Sequence, residues 1–268
     1  MAIINEMPKK INYIWVGGAE EPESVRKCIE SWKKFLPDYE IIRWDENNFD
    51  MNMCPYLAEA YKAKKWAFVS DVMRAYILYN YGGIYFDTDL ELIKTPHILF
   101  ENDIVLGYET QYLLATCCMS AVPKTEVFAS LLNQYQTEHF TEDCTLNQKT
   151  INHRLSEIVF KYLNRKYLPN GDYSIKNINL YNKYVFTARE LKDVTVSIHH
   201  FTGSWKTKTE LTKAQYFWFR VKLKIAVSFV KIIGNIRYIN FEENVWRKAR
   251  DITTINNKKK NKKIYVIL

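Results

Sequence analysis

Residues 66–81, WAFVSDVMRAYILYNY, are apolar around nearly the whole circumference of a helix, and they stop at Gly82-Gly83. A helix that is apolar nearly all round belongs in a core. Glycine is the usual residue just past a helix end. Ile84–Leu90 then reads as a short strand ahead of Pro96. Upstream, Ile11–Val16 is β-prone and ends at Gly17-Gly18. Residues 22–35 carry Val25, Ile29 and Trp32 at helical spacing, with Leu36 on the same face, and Glu40–Trp44 reads as a second strand. An opening β-α-β order favours a parallel sheet, so the expected fold class is α/β. Residues 104–122 are expected to form one or two strands, 125–136 and 150–163 helices, and Thr195–Phe201 a late strand. No internal repeat interrupts this order.

The length of 268 residues suits one large α/β domain with an appendage. Aromatic residues make up 15%, including 19 Tyr, which serves tyrosine-rich cores more often than sugar-binding clefts. Five cysteines, Cys28, Cys54, Cys117, Cys118 and Cys144, are odd in number and lack CxxC spacing. That argues against a disulfide framework or a zinc site and fits a reducing cytoplasm. The start, MAIINEMPKKINYIW, lacks the basic-then-apolar signal pattern, and no run of 18 apolar residues is present. Charge is segregated. Residues 1–210 hold 24 Lys+Arg and 27 Asp+Glu, net −3, while 211–268 hold 14 and 3, net +11. A boundary is therefore expected at 211, with a catalytic domain over 1–210 and a basic helical tail over 211–268. Any anionic partner belongs to the tail.

Asp87-Thr88-Asp89 ends or follows the short apolar strand. Period-2 geometry would point both carboxylates to one side. Two such groups repel each other unless a cation lies between them, and oxygen ligands suit Mg2+ or Mn2+. Alone, DxD is a weak signal, because many surface turns contain it; its place after a strand and a glycine stop strengthens it. Asp71 and Arg74, three residues apart on the apolar helix, share a face. They are either an intrahelical ion pair or a pair aimed at a ligand, since charges on a buried helix are paired or purposeful.

Three segments together bear a resemblance. FVSDVMRAYILYNYGGIYFDTDLELIK resembles the signature of glycosyltransferase family 32, which includes bacterial capsule and lipopolysaccharide sugar transferases and Golgi mannosyltransferases. PKKINYIWVGG is similar to that family's first strand, and HHFTGSW at 199–205 to its closing motif. The glucosylating-toxin catalytic domains resemble it more distantly. The match spans roughly 8–205. It implies a GT-A fold, a Rossmann-like mixed sheet flanked by helices, and a retaining transfer of a hexose from a nucleotide sugar, a UDP-sugar first. By the same resemblance Asp89 would bind the metal and Asp87 would contact ribose and donor sugar, reaching the metal directly or through water. Asp71 and Arg74 would hold the donor sugar, and Trp15 would stack on the base if it is not simply a core tryptophan. His200, favoured over His199, would be the distal metal ligand. Ser204 and Trp205 would hydrogen-bond the leaving diphosphate. The toxin-like domains have an acid where His200 stands, and their serine lies one residue earlier, so these two roles stay open.

Residues 211–241 contain six basic residues and no acidic one. On a helix, Lys213, Arg220, Lys224 and Lys231 fall within about 20° of one line, with aromatic and aliphatic residues over most of the rest. This pattern suits a helix lying in an anionic membrane interface, or one packed on the catalytic domain. The expected protein is a transferase at the cytoplasmic face of the cell membrane, acting on a glycan, in particular a lipid-linked one, in surface polysaccharide synthesis. A nucleic-acid-binding protein has only the basic, aromatic tail in its favour, and no nucleic acid is expected as a partner. A metal-dependent phosphohydrolase built on Asp87, Asp89 and His200 lacks the second carboxylate cluster that a two-metal site needs.

Overall fold

The computed structural model describes residues 6–142, 145–147, 149–187, 191–202, 208–210 and 265–267. The chain divides into two compact units, Met1–Thr202 and Gly203–Leu268. In the second, Lys208–Glu210 pairs antiparallel with Tyr265–Ile267. The expected tail helix over 211–241, Ser204 and Trp205 lie outside the described residues.

The first unit opens with β1 (Lys10–Ile14), α1 (Glu23–Phe35) and β2 (Glu40–Trp44), and β1 and β2 are parallel as expected. Helices α2 (Pro55–Lys62) and α3 (Trp66–Asn80) lead to β3 (Gly83–Phe86) and β4 (Leu90–Leu92). A one-turn 3-10 helix, His97–Phe100, precedes β5 (Ile104–Tyr108) and β6 (Leu114–Ala121). Next come α4 (Glu126–Thr137), the short ribbon β7 (Thr141–Glu142) and β8 (Thr145–Leu146), and α5 (Ile151–Tyr162). The unit closes with β9 (Tyr173–Ile175), β10 (Ile178–Tyr181), α6 (Lys183–Phe186) and β11 (Ser197–His199). Seven strands form one mixed sheet in the order β2-β1-β3-β6-β5-β10-β9, and β4 and β11 form a separate antiparallel pair. The expected strand over 84–90 is therefore two strands, broken at Asp87-Thr88-Asp89.

Both faces of the sheet's centre are covered, which is why its central strands β3, β5 and β6 are buried along their whole length. Alternation assigns Tyr85, Leu106 and Tyr108 to one core layer, with α2, α3, α4 and α5. Ile84, Phe86 and Val105 go to the other, with α1, β4 and α6. The result is the α/β sandwich expected from the sequence. Within α3 the residues Val69, Val72, Met73, Ala75, Ile77 and Leu78 are fully buried, as an all-round apolar helix requires. Gly82 and Gly83 both take positive φ, +63° and +87°. A Cβ there would lie 2.8 Å from the Ala121 carbonyl oxygen and 2.7 Å from that of Lys10. These glycines therefore end α3 and also let β3 close against its neighbours. Buried Asn12 stitches the same seam: its Nδ2 donates to the Gly82 and Ile84 carbonyls, and its Oδ1 accepts from the Trp44 indole.

Cys28, Cys54, Cys117 and Cys118 are free and buried. Among the described residues no helix is long and apolar enough to cross a membrane.

Candidate active site

Parallel β1 and β3 bring Trp15 and Asp87, each just past a strand end, to the same edge of the sheet. Ligands of open α/β sheets bind at such carboxyl ends. Asp87 continues the ladder by one bond, its amide donating to the Cys117 carbonyl at 2.9 Å. The chain then turns, with the Leu90 amide donating to the Asp87 carbonyl at 2.9 Å. Asp87 and Asp89 converge because of this turn and not through the strand alternation expected from the sequence.

What they converge on is delivered by β11. Its pairing with β4 sets His199 opposite Leu90, and the Asp89 carbonyl accepts from the His200 amide at 2.9 Å. His199 Nε2 lies 3.1 Å from Asp89 Oδ1 and 3.9 Å from Asp87 Oδ2. His200, favoured from the sequence, faces away: its Nε2 meets Glu91 Oε2 at 2.8 Å. Neighbouring strand residues point to opposite faces, so a one-residue choice of register decides which histidine meets the carboxylates, and here it is His199. The Asp89 carboxylate is also gripped by Thr202, whose amide and hydroxyl donate to Oδ2 at 2.8 and 2.9 Å. Burial opposes the charge on Asp89, but the His199 and Thr202 hydrogen bonds outweigh it and hold its carboxyl well below the usual carboxylate range. Burial likewise opposes the imidazolium of His199; the Cys117 thiol and Asp89 outweigh it and raise its pKa well above the ordinary value.

Asp87, Asp89 and His199 each offer one ligand atom, and those atoms lie within 4.8 Å of one another. Two carboxylate oxygens and one imidazole nitrogen form a donor set that fits a divalent cation of the Mg2+ or Mn2+ kind. A cation held there would need the unprotonated Nε2 of His199, so its binding competes with protonation of that ring.

Asp71 and Arg74 sit on the α3 face that meets the sheet, 7% and 6% exposed. Arg74 is the hub. Its Nη1 lies 3.1 Å from Asp87 Oδ1 and donates to the Thr116 carbonyl at 3.0 Å. Nη2 donates to Ser70 Oγ at 2.9 Å and lies 3.6 Å from Asp71 Oδ1. The guanidinium stacks over Tyr85, 4.6 Å from the ring centroid, and the Tyr85 hydroxyl donates to Asp87 Oδ1 at 2.9 Å. Asp71 Oδ2 accepts the Ile151 amide at the start of α5. Burial raises the Asp71 carboxyl to about 6, against the pull of Arg74. The intrahelical pair thus exists, but the shorter contact of Arg74 is to the DxD motif. Tyr85, Thr116 and Thr202 belong to this network and were not singled out from the sequence, because each reaches it through a tertiary partner.

Trp15 is half-buried. Its amide donates to the Trp44 carbonyl, and its indole donates to the Ala19 carbonyl at 2.6 Å across the Gly17-Gly18 turn.

Residues 22–110, which hold Asp71, Arg74, Asp87 and Asp89, match the family profile described as glycosyltransferase sugar-binding region containing DXD motif. The chain carries a DXD glycosyltransferase region. Over 95 residues it is 33% identical to inositol phosphoceramide mannosyltransferase 3 of Schizosaccharomyces pombe, covering 34% of this chain and 23% of that protein. The chain thus spans under a quarter of the length of this curated relative. Among solved structures it is similar to the PaToxG glycosyltransferase, with 17% identity over 59% of this chain and 70% of that one and a TM-score of 0.46. A second is a glycosyltransferase involved in the glycosylation of the major capsid of PBCV-1, with 11% identity, 72% and 94% coverage and a TM-score of 0.44. Trp15 and His199 lie outside the residues matched by the DXD region.

Proposed function

We propose that this protein is a metal-dependent, retaining glycosyltransferase that moves a hexose from a nucleotide sugar, a UDP-sugar first, to a glycan acceptor. The observation that carries this is the convergence of Asp87, Asp89 and His199 within 4.8 Å, directly behind β3 and inside a DXD region except for the histidine. A divalent cation bound there would neutralise charge on the nucleoside diphosphate as the anomeric bond breaks. Arg74, held by Asp71 and Asp87, keeps a fixed positive charge beside the carboxylate pair, where charge develops on the leaving group. On this reading Asp87 meets the donor hydroxyls and Trp15 offers its ring to the base. Mannosyl donors belong in the test panel because of the mannosyltransferase relative.

The test is Mn2+-dependent binding of UDP, followed by calorimetric melting, and product mass spectrometry over a donor panel. UDP with Mn2+ is expected to stabilise the protein more than either alone. His199→Ala should abolish that synergy and His200→Ala should keep it. The reverse pattern would return the ligand role to His200, and no synergy in the intact protein would refute the metal-bound donor.

We assign the basic segment 211–268 to an anionic membrane surface, which places the enzyme at the cytoplasmic face of the cell membrane, with a lipid-linked acceptor in surface polysaccharide synthesis. Support comes from the cationic stripe Lys213, Arg220, Lys224 and Lys231 and from NKKKNKK at 257–263. Each basic residue near such a surface contributes about 1 kcal/mol. Liposome flotation should therefore rise with anionic lipid, fall with salt, and disappear when the four stripe residues become Glu. Flotation independent of anionic lipid would refute this placement.

A further inference from the structure

We infer that the loops carrying Tyr112 and Tyr167 form an acceptor subsite that receives a pyranose ring of the glycan, an inference that rests on the transferase reading above. Tyr112 lies in the turn between β5 and β6, where the Glu109 amide donates to the Leu113 carbonyl at 2.8 Å. Tyr167 lies between α5 and β9 and is 48% exposed, one of the few large hydrophobic side chains left open among the described residues. The two rings meet edge to face, with centroids 5.6 Å apart and planes at 89°. In that arrangement one ring presents its edge and the other a face, so the pair cannot close flat upon itself.

The backbone beneath this pair is fixed. The Asn170 amide donates to the Gln111 carbonyl at 2.6 Å, tying the two loops together. The buried Tyr108 hydroxyl donates to the carbonyl of Leu168, whose side chain is in the core. Tyr167 is exposed and Tyr112 half-buried; aromatic rings on an anchored backbone lose little entropy when a ligand covers them, and ligand sites pair such surfaces with a few placed polar groups. Here that group is the Glu109 carboxylate, whose Oε2 accepts from Asn152 Nδ2 at 2.9 Å; Asn152 is itself fixed by donating to the Leu114 carbonyl at 2.9 Å and accepting from the Thr116 hydroxyl at 3.3 Å. A carboxylate suits sugar hydroxyls, while the C–H face of a pyranose suits an aromatic ring.

The position relative to the DxD motif follows from the sheet. Asp87 bonds to Cys117 on β6, and the turn residue Leu113 lies four residues further back, just before that strand begins. That is about 13 Å at roughly 3.3 Å per residue, at the same edge of the sheet and within reach of a short glycan. A continuous polar chain links the two places. Asp87 contacts Arg74, Arg74 donates to Thr116, the Thr116 hydroxyl donates to Asn152 Oδ1 at 3.3 Å, and Asn152 donates to Glu109.

The test uses the full chain with methyl α-mannopyranoside and methyl β-lactoside as probes, read by saturation-transfer NMR, and UDP with Mn2+ as a separate donor-site probe. At least one pyranoside should receive saturation at its ring C–H protons. Tyr112→Ala and Tyr167→Ala should each weaken that binding about tenfold, equivalent to about 1.4 kcal/mol, while UDP affinity stays unchanged. Tyr112→Phe should retain it, since the ring face remains. Should Tyr112→Ala fail to fold, the exposed Tyr167→Ala gives the same comparison. Pyranoside binding unaltered by the variants, or no saturation of either probe, overturns the subsite. Tyrosine-dependent pyranoside binding without UDP binding supports the subsite and counts against the UDP donor.

Discussion

Asp89→Asn should abolish metal-dependent donor binding and lower kcat/KM at least ~1,000-fold, several kcal/mol of transition-state stabilisation. The amide keeps the shape of the side chain and can still accept from Thr202, whose amide and hydroxyl now hold Oδ2. What it removes is the negative charge that, with Asp87, makes a pair of carboxylates around His199 Nε2. Mn2+ titration with UDP in excess separates this from unfolding, because the folded variant should show no saturable metal response. Turnover near wild type at ordinary Mn2+ would dismiss Asp89 as a ligand. A second signature comes from linkage. The Asp89 carboxyl is held below its ordinary range in the folded protein, so its ionised form stabilises the fold above the unfolded value, about 3.9, and that contribution fades as pH falls below it. Wild type should therefore melt higher than Asp89→Asn at neutral pH, and the gap should narrow in acid.

Periodicity was sufficient for the parts of the fold whose pattern is local. The all-round apolar α3, the glycine stop and the parallel β1-α1-β2 opening follow from residue spacing, and the structure agrees with them. Elements too short to display a period escaped it. Helix α2 has eight residues with Pro55 at its start, and β9 and β10 have three and four. Within the site, sequence spacing put Asp71 beside Arg74 and Asp87 near Asp89. It could not reveal that Arg74 spans from α3 to Asp87, because that contact depends on how the helix lies on the sheet. Nor could it choose between His199 and His200, because the choice is made by the pairing of β11 with β4 across more than a hundred residues of chain. The turn at 87–89 achieves by backbone bending what strand alternation was expected to achieve.

Arg74→Lys should lower kcat/KM at least ~10-fold, about 1.4 kcal/mol, although the charge is preserved. The reason is geometric. One planar group here serves Asp87 and Thr116 through Nη1, Ser70 Oγ and Asp71 through Nη2, and the Ser70 carbonyl through Nε. A lysine ammonium has three donors on a single atom, cannot span these partners at once, and loses the stacking on Tyr85. Asp87 would then be held by the Tyr85 hydroxyl without its guanidinium partner, and its oxygens would no longer be fixed for the donor. Arg74→Ala should cost more and in a different way. It leaves Asp71, 7% exposed, without its cation, and breaking one side of a buried pair destabilises by about 3–5 kcal/mol. Asp71 would then take up a proton at a higher pH than now, because the cation that opposes the effect of burial is gone. The two variants separate the roles of the residue. If Arg74→Lys melts near wild type but turns over slowly, the guanidinium fork acts on the reacting donor. If it turns over at wild-type rate while Arg74→Ala unfolds, Arg74 contributes charge balance to the core of α3 and nothing specific to transfer.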